Sequence, residues 1–342
     1  MSIEFVIGDR KRFSNFISGI GKGRMALISH TDCDGIASAR VVDIALQPDE
    51  VFFVDYKDLN QDFLNKITKE NFESVVITDL FFKSKDDLKE LSKKSKVLII
   101  DHHSPDVDLN SENIVHLNSQ GHCAAMIAYE LFSKVTNLKG LDWLVACACA
   151  ADWLVVNDAE FLTEVYMKYG DKFEIIDGEL RKTGQIWQWS SDISSGLAYF
   201  RGLNLKEGYK EIGNNPGDFG NFARAVKLVN QEIDEFRKKF QKEKKEIPNG
   251  YFFELNPKYE IKGMLISELS SLEKNKTLIF ATPSKDKILL SSRRQDGLVD
   301  LNKFMFEATE GIGSGGGHKR AAGGFVKIEN YSEFKKRIGL KD

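Results

Sequence analysis

The chain has 342 residues, 42% hydrophobic and 29% charged, with 48 basic against 51 acidic side chains and a net charge of −3. At roughly 100–200 residues per domain this is enough for two or three domains with full cores, which excludes collagen-like, disordered and disulfide-scaffold classes. A globally basic nucleic-acid coat is excluded too, although a local basic groove is not.

The four cysteines, Cys33, Cys123, Cys147 and Cys149, contain no Cys-x-x-Cys pair. They read as inert, reduced thiols of an intracellular protein. The opening MSIEFVIGDRKRF has no apolar signal core. The most apolar run, Leu141 to Val156, is broken by Asp142 and Asp152 and is too short to span a bilayer. The expectation is a soluble cytoplasmic protein with no membrane contact.

In chain order, strands are expected at Met25–Ser29, Val51–Val54, Ser74–Thr78, Val97–Ile100 and Ile114–Leu117. They are Val/Ile-rich without alternation, as strands buried on both faces are. Helices are expected between them at Ala37–Leu46, Asn60–Lys69 and Lys85–Lys93, then at Ala124–Phe132 and Leu141–Val156. This rhythm predicts a doubly wound, mainly parallel α/β sheet. A mixed stretch follows, with Trp187, Trp189 and Gly213–Gly217. Phe222, Val226, Val229, Ile233, Phe236 and Phe240 then make a heptad-like stripe, read as a helix bridging two domains, with its charged tail as a solvated end before Pro248-Asn-Gly250. A second, smaller α/β unit has strands at Tyr251–Leu255, Thr277–Ala281, Ile288–Ser292 and Phe325–Ile328, and helices at Met264–Leu272, Val299–Glu307 and Tyr331–Ile338. The expected domains are 1–157, a helical linker region 158–249, and 250–342.

Four groups of hard-metal ligands fall at predicted strand ends or in the helix beyond them. His30, Asp32 and Asp34 follow the first strand, where extended alternation would put them on one side and Gly35 would let the chain turn into the helix. Asp79 follows the third strand, and Asp101-His102-His103 the fourth. Asp152 lies in the apolar run LVACACAADWLVV, where an unpaired buried carboxylate would be costly and calls for a cation. Taken singly, Asp79 reads as a cap or turn residue, and the two histidines as a chance pair. Strand ends in an open α/β sheet converge on the ligand crevice, however, and three strands delivering Asp or His there is a pattern. Mixed His/carboxylate ligation suits Mn²⁺ or Mg²⁺, and the number of ligands suggests two ions. His116 and His122 read as structural, and Trp187 and Trp189 as core residues before base-stacking ones.

HTDCDG at His30–Gly35, Asp79, DHH at Asp101–His103 and Asp152 resemble, in order, the four motifs of the DHH phosphoesterases. LSSRRQDG…GSGGGHKRAAGGF resembles the accessory DHHA1 domain. The family includes RecJ exonucleases, archaeal RecJ-like nucleases, NrnA-type oligoribonucleases and pAp phosphatases, and cyclic-dinucleotide phosphodiesterases. The resemblance implies that His30, Asp32 and Asp79 hold one Mn²⁺. It implies that Asp34, Asp79, His102 and Asp152 hold the other, with Asp79 bridging. His103 would meet the scissile phosphate, and Asp101 would orient a histidine from behind. His30 stands only two residues before Asp32, nearer the RecJ-like spacing than the NrnA-like one. Gly315, Gly316, Gly317 and His318 would cradle a phosphate in a Gly-rich loop before a helix starting at Lys319-Arg320-Ala321-Ala322, and Arg293 would contact the same anion.

The function implied is a Mn²⁺-dependent phosphodiesterase, with Mg²⁺ as an alternative, removing nucleotides from an end of single-stranded DNA or RNA in repair, with a replication or repair protein as partner. Short oligonucleotides, pAp or a cyclic dinucleotide are the alternative substrates. A non-catalytic replication scaffold is a third reading.

Overall fold

A computed structural model of the chain describes residues 3–340 apart from 177 and 178. Met1 and Asp342, the outer limits of the expected domains, lie outside the described residues. The chain divides into two units, Met1–Arg224 and Ala225–Asp342.

The first unit is built on strands β1 (Met25–Ser29), β2 (Glu50–Phe53), β3 (Ser74–Thr78), β4 (Lys96–Asp101) and β5 (Ile114–Asn118). All pair in parallel in the order β2-β1-β3-β4-β5. Helices α1 (Arg10–Ser18), α2 (Cys33–Leu46), α3 (Gln61–Lys69), α4 (Lys89–Ser92) and α5 (Ala124–Phe132) cover the sheet, and α6 (Asp142–Ala151) packs on α2 and α5. Every residue of β1 and β3 is buried, which is why these strands read as unbroken apolar runs. One face packs Ala26, Ile28, Val75, Ile77, Val97 and Ile99 under Leu64, Ile67 and Leu91. The other lies under α2 and α5. Helices α7 (Ala159–Lys168), α8 (Gln185–Arg201) and α9 (Leu205–Glu211), with a short hairpin β6 (Ile175–Ile176) and β7 (Glu179–Leu180), complete the unit.

Three local expectations change. Helix α2 begins at Cys33, not Ala37, because the Asp32 side chain caps it by accepting from the Gly35 N–H. Asp34 therefore sits in a helical first turn and not in an extended segment. The expected helix over Lys85–Lys93 is a 3-10 turn, Lys85–Leu88, closed by a Ser84/Asp87 capping box and followed by the one-turn α4. Helix α6 stops at Ala151, so Asp152 is its C-cap and not an interior residue.

The second unit follows from α10 (Phe222–Glu243), whose stripe from Phe222 to Phe240 is buried throughout. Its charged tail is the exposed helix end through Glu243, and only Lys245 and Glu246 pass into β8 (Lys245–Ile247). β9 (Gly250–Glu254), β10 (Thr277–Ser284), β11 (Lys287–Arg293), β12 (Gly313–His318) and β13 (Ala321–Lys327) complete a sheet of order β12-β13-β11-β10-β9-β8. Only β9 and β10 pair in parallel. Helix α11 (Lys262–Leu272) packs on β10 and β11, and α12 (Leu301–Thr309) and α13 (Tyr331–Arg337) cover the other face through Leu301, Met305 and Phe334.

The Gly-rich segment is a correction. Gly313–His318 is not a loop before a helix but an edge strand, and Lys319-Arg320 is a turn into β13. Gly315 serves the packing of α12, because a Cβ there would stand 2.6 Å from the Met305 carbonyl oxygen. Among the described residues, no helix is long and apolar enough to cross a membrane.

Candidate metal centre

The order β2-β1-β3-β4-β5 reverses between β1 and β3, and ligands of open α/β sheets bind outside the strand ends at such a switch point. His30 and Asp32 leave β1 there, and Asp79 leaves β3. Asp79 is 1% exposed, with a left-handed φ of 57°. That conformation turns the chain sharply at the strand end, at a backbone cost typical of functional positions. Below them, the buried hydroxyls of Ser29, Ser38 and Thr78 are linked at 2.7 and 3.0 Å, tying β1, α2 and β3 together. The turn after β1 needs Gly35, because a Cβ there would lie 2.3 Å from the His30 carbonyl oxygen. Arg201 of α8 donates twice to the Thr31 carbonyl, at 3.2 and 2.9 Å, and holds the loop from outside.

The donors converge in overlapping sets. His30, Asp32 and Asp79 each offer an atom within 4.8 Å of the others, and so do Asp34, His102 and Asp152, and Asp79, His102 and His103. His102 Nε2 lies 3.3 Å from Asp79 Oδ1, 3.4 Å from Asp152 Oδ2 and 3.7 Å from Asp34 Oδ2. His30 Nδ1 is 2.9 Å from Asp32 Oδ2 and 3.5 Å from Asp79 Oδ2. Yet His30 Nδ1 and Asp79 Oδ2 are buried without a properly aligned hydrogen bond. These are donors that a cation between them could satisfy. Asp34 differs: both its oxygens accept 2.7 Å hydrogen bonds, from the N–H groups of Ala124 and Ala125. Those groups open α5, whose own N-cap, Cys123, provides no side-chain cap.

The electrostatics agree. Burial raises the Asp79 carboxyl well above its usual range, and the Asp32 and Asp34 charges raise it further. Burial and the charges of Asp34, Asp32 and Asp79 do the same to Asp152. For His30, burial works against the proton, but the Asp32 and Asp79 carboxylates outweigh it and raise the imidazole to about 10. Four carboxylates and two imidazoles gathered in this way fit hard divalent cations.

Behind this set, Asp101 Oδ1 accepts from His103 Nδ1 at 2.8 Å. The Tyr56 hydroxyl stands 3.5 Å from His103 Nε2 and accepts from the Phe81 N–H at 3.3 Å. The Tyr56 ring also lies against His30, with centroids 5.0 Å apart. Sequence reasoning missed Tyr56, which belongs to no motif and reaches the site only through the parallel pairing of β2 with β1.

In the second unit, Arg293, Ala321 and His318 occupy one row across β11, β13 and β12. Residues in a row share a face, so Arg293 and His318 point the same way, about 10 Å apart. His318 is exposed, and Arg293 donates only to the neighbouring Ser292 carbonyl, at 2.9 Å. The Gly317 N–H already donates to Asn302 Oδ1 at 2.9 Å, and Gly315 faces the α12 backbone. Gly316 is half-buried.

Other candidates are structural. His116 Nδ1 accepts from the Leu109 N–H at 3.4 Å, and His122 Nδ1 pairs with the buried Asp158 at 2.8 Å. All four cysteines are buried and free, and burial raises the thiols of Cys33, Cys123 and Cys147. Trp189 packs on Trp143 and Tyr169, whereas Trp187 meets Trp153.

The DHH family N-terminal domain model matches residues 24–151, and the DHHA1 domain model matches residues 251–339. Among solved structures, exonuclease RecJ bound to manganese is similar at 16% identity and a TM-score of 0.68, over 99% of this chain and 94% of that one. RecJ in complex with Mn²⁺ from Thermus thermophilus is similar at 16% identity and a TM-score of 0.67. The match covers 96% of this chain but 53% of that one, so this chain spans about half of the Thermus protein. A pGpG-specific phosphodiesterase from Vibrio cholerae is similar at 14% identity and a TM-score of 0.53, over 92% of this chain and 97% of that one. At these identities the likeness is one of fold. No curated protein matches the chain.

Proposed function

We propose, because the chain belongs to the DHH phosphoesterase family, carries a DHHA1 domain and is on that ground a metal-dependent hydrolase, that it removes nucleotides from an end of single-stranded nucleic acid with two Mn²⁺ ions. The observation that carries this reading is the pair of adjoining donor sets, His30/Asp32/Asp79 and Asp34/His102/Asp152, with Asp79 also 3.3 Å from His102. In this reading Asp79 would serve both ions. Cations held there supply Lewis acidity to the phosphoryl group and to the attacking water.

The protein's own residues prepare the site. Asp101 accepts from His103 Nδ1 and so fixes the orientation of the ring and its Nδ1–H tautomer. Tyr56 limits the ring from the other side. Asp34 is held rigid by two backbone N–H groups, so its carboxylate needs no reorganisation. In the DHHA1 unit, Arg293 and His318 are the proposed anion contacts, with the strand Gly315–Gly317 as a flat backbone surface beside them.

The likeness to RecJ, closer than that to the pGpG enzyme, supports strand substrates ahead of short ones. The test is cleavage with Mn²⁺ of end-labelled single strands, as DNA and as RNA, beside pAp and a linear dinucleotide. A product ladder from the long strand supports the exonuclease. Hydrolysis confined to the short substrates supports the alternative reading, an oligonucleotide or dinucleotide phosphodiesterase.

A further inference from the structure

The four tryptophans of the chain divide into two pairs. Trp143 is fully buried and Trp189 packs against it, with ring centroids 5.6 Å apart. These two are core. Trp153 is 45% exposed, and its nearest aromatic partner is Trp187, near the start of α8, with centroids 6.1 Å apart and planes at 62°. Lys182 Nζ stands 4.4 Å from the Trp153 centroid and 5.9 Å from that of Trp187.

Trp153 directly follows Asp152, and its φ is 61°. Bulky side chains avoid the left-handed region, and residues held there cluster at ligand-binding and catalytic positions. The turn itself ends α6, since the Leu154 N–H reaches back to the Cys149 carbonyl at 3.1 Å, but that position favours glycine, and burial does not account for a tryptophan there because the residue is 45% exposed. A strained backbone that presents an aromatic surface one residue from a proposed metal ligand is suited to what that ligand's substrate carries next to its phosphate.

We infer that Trp153, Trp187 and Lys182 form a platform for the nucleobase of the nucleotide undergoing hydrolysis. The inference rests on the proposed function and names the substrate group that the metal centre itself leaves unrecognised. Every base has a π-face, so such a platform is sequence-tolerant, and Lys182, whose ammonium lies over the Trp153 ring, adds a cation to it. The site would distinguish nucleotides from phosphoesters that carry no base, and it would not distinguish one base from another.

The experiment compares the wild type, W153A and W153F on single strands ending either in natural nucleotides or in abasic tetrahydrofuran residues. In the wild type we expect kcat/KM to favour the natural end about tenfold or more, the weight of one base stack. In W153A the preference falls to near one, and in W153F it is largely restored. As a separate readout, a nucleoside monophosphate should quench tryptophan fluorescence in the presence of chelator, whereas ribose 5-phosphate should not. W153A should lose that quench. An unchanged natural-over-abasic preference in W153A, or a quench that persists in it, overturns the platform. If the wild type cleaves no single strand at all, the nuclease reading fails, and the fluorescence comparison still decides the platform.

Discussion

Nδ1 of His103 donates to Oδ1 of Asp101 at 2.8 Å, and Asp101 is almost wholly buried at the end of β4. His103 also groups with Asp79 and His102, but its Nδ1 is 4.0 Å from Asp79 Oδ1 and is engaged by Asp101. This pairing separates two jobs that the adjacent histidines of the DHH motif would otherwise share: His102 turns toward Asp34, Asp79 and Asp152, and His103 is held by Asp101.

That separation is measurable. In Asp101→Asn, an amide can present its NH₂ to Nδ1 and favour the other tautomer. We expect kcat to fall roughly 10- to 100-fold while Mn²⁺ affinity stays close to wild type. Steady-state kinetics beside a Mn²⁺ titration check this. An equal loss of affinity would place Asp101 among the ligands instead.

Asp79→Asn tests the shared ligand. Asn tolerates the left-handed backbone that Asp79 adopts, so the turn should survive. Burial and two neighbouring carboxylates disfavour the Asp79 charge in the metal-free protein, and the amide removes that burden. We expect the metal-free variant to melt a few degrees higher than wild type, to lose the Mn²⁺-induced rise in melting temperature, and to lose cleavage. Retained Mn²⁺-dependent cleavage would remove Asp79 from the centre.

Binding of Mn²⁺ should tighten as pH rises from about 6 to about 8. The Asp32 and Asp79 carboxylates outweigh burial and raise His30 to about 10, so the metal-free imidazole carries a proton at neutral pH. A cation entering the His30 set must expel that proton, and higher pH favours the exchange. Calorimetry in buffers of different ionisation enthalpy should detect proton release, and His30→Ala should reduce it.

Gly315→Ala probes the second unit alone. The added Cβ would meet the Met305 carbonyl oxygen at 2.6 Å and Thr309 Oγ1 at 2.7 Å. We expect a loss of about 1–3 kcal/mol in the stability of that unit, as for an overpacked site. Mn²⁺ binding should not change. Denaturant unfolding and a Mn²⁺ isotherm measure the two effects.

The parallel strands and the strand-end ligands were legible because their causes are local. A strand buried on both faces is a continuous apolar run, and the residue after it is the one that reaches the crevice. Contacts between distant segments were less legible. Tyr56 lies beside His103 only because β2 pairs with β1 and not with β3. Asp34 meets Ala124 and Ala125 across ninety positions. Asp152 matched a helical apolar pattern, but Trp153 takes a left-handed φ and the helix stops first. The Gly313–His318 strand was read as a loop because glycine is depleted in strands. Its conformation comes from pairing with β13 and from the room α12 needs.

The way Asp34 is held bears on the order of assembly. Its two oxygens are engaged by the amides that open α5, and Asp32 is engaged by the amide of Gly35. These bonds form when the helices dock, before any ion arrives. Half of the carboxylate frame is therefore held by the fold's own hydrogen bonds, and a cation entering the proposed centre would meet carboxylates already in position. Removing it with a chelator would leave those bonds, and the chain that makes them, in place.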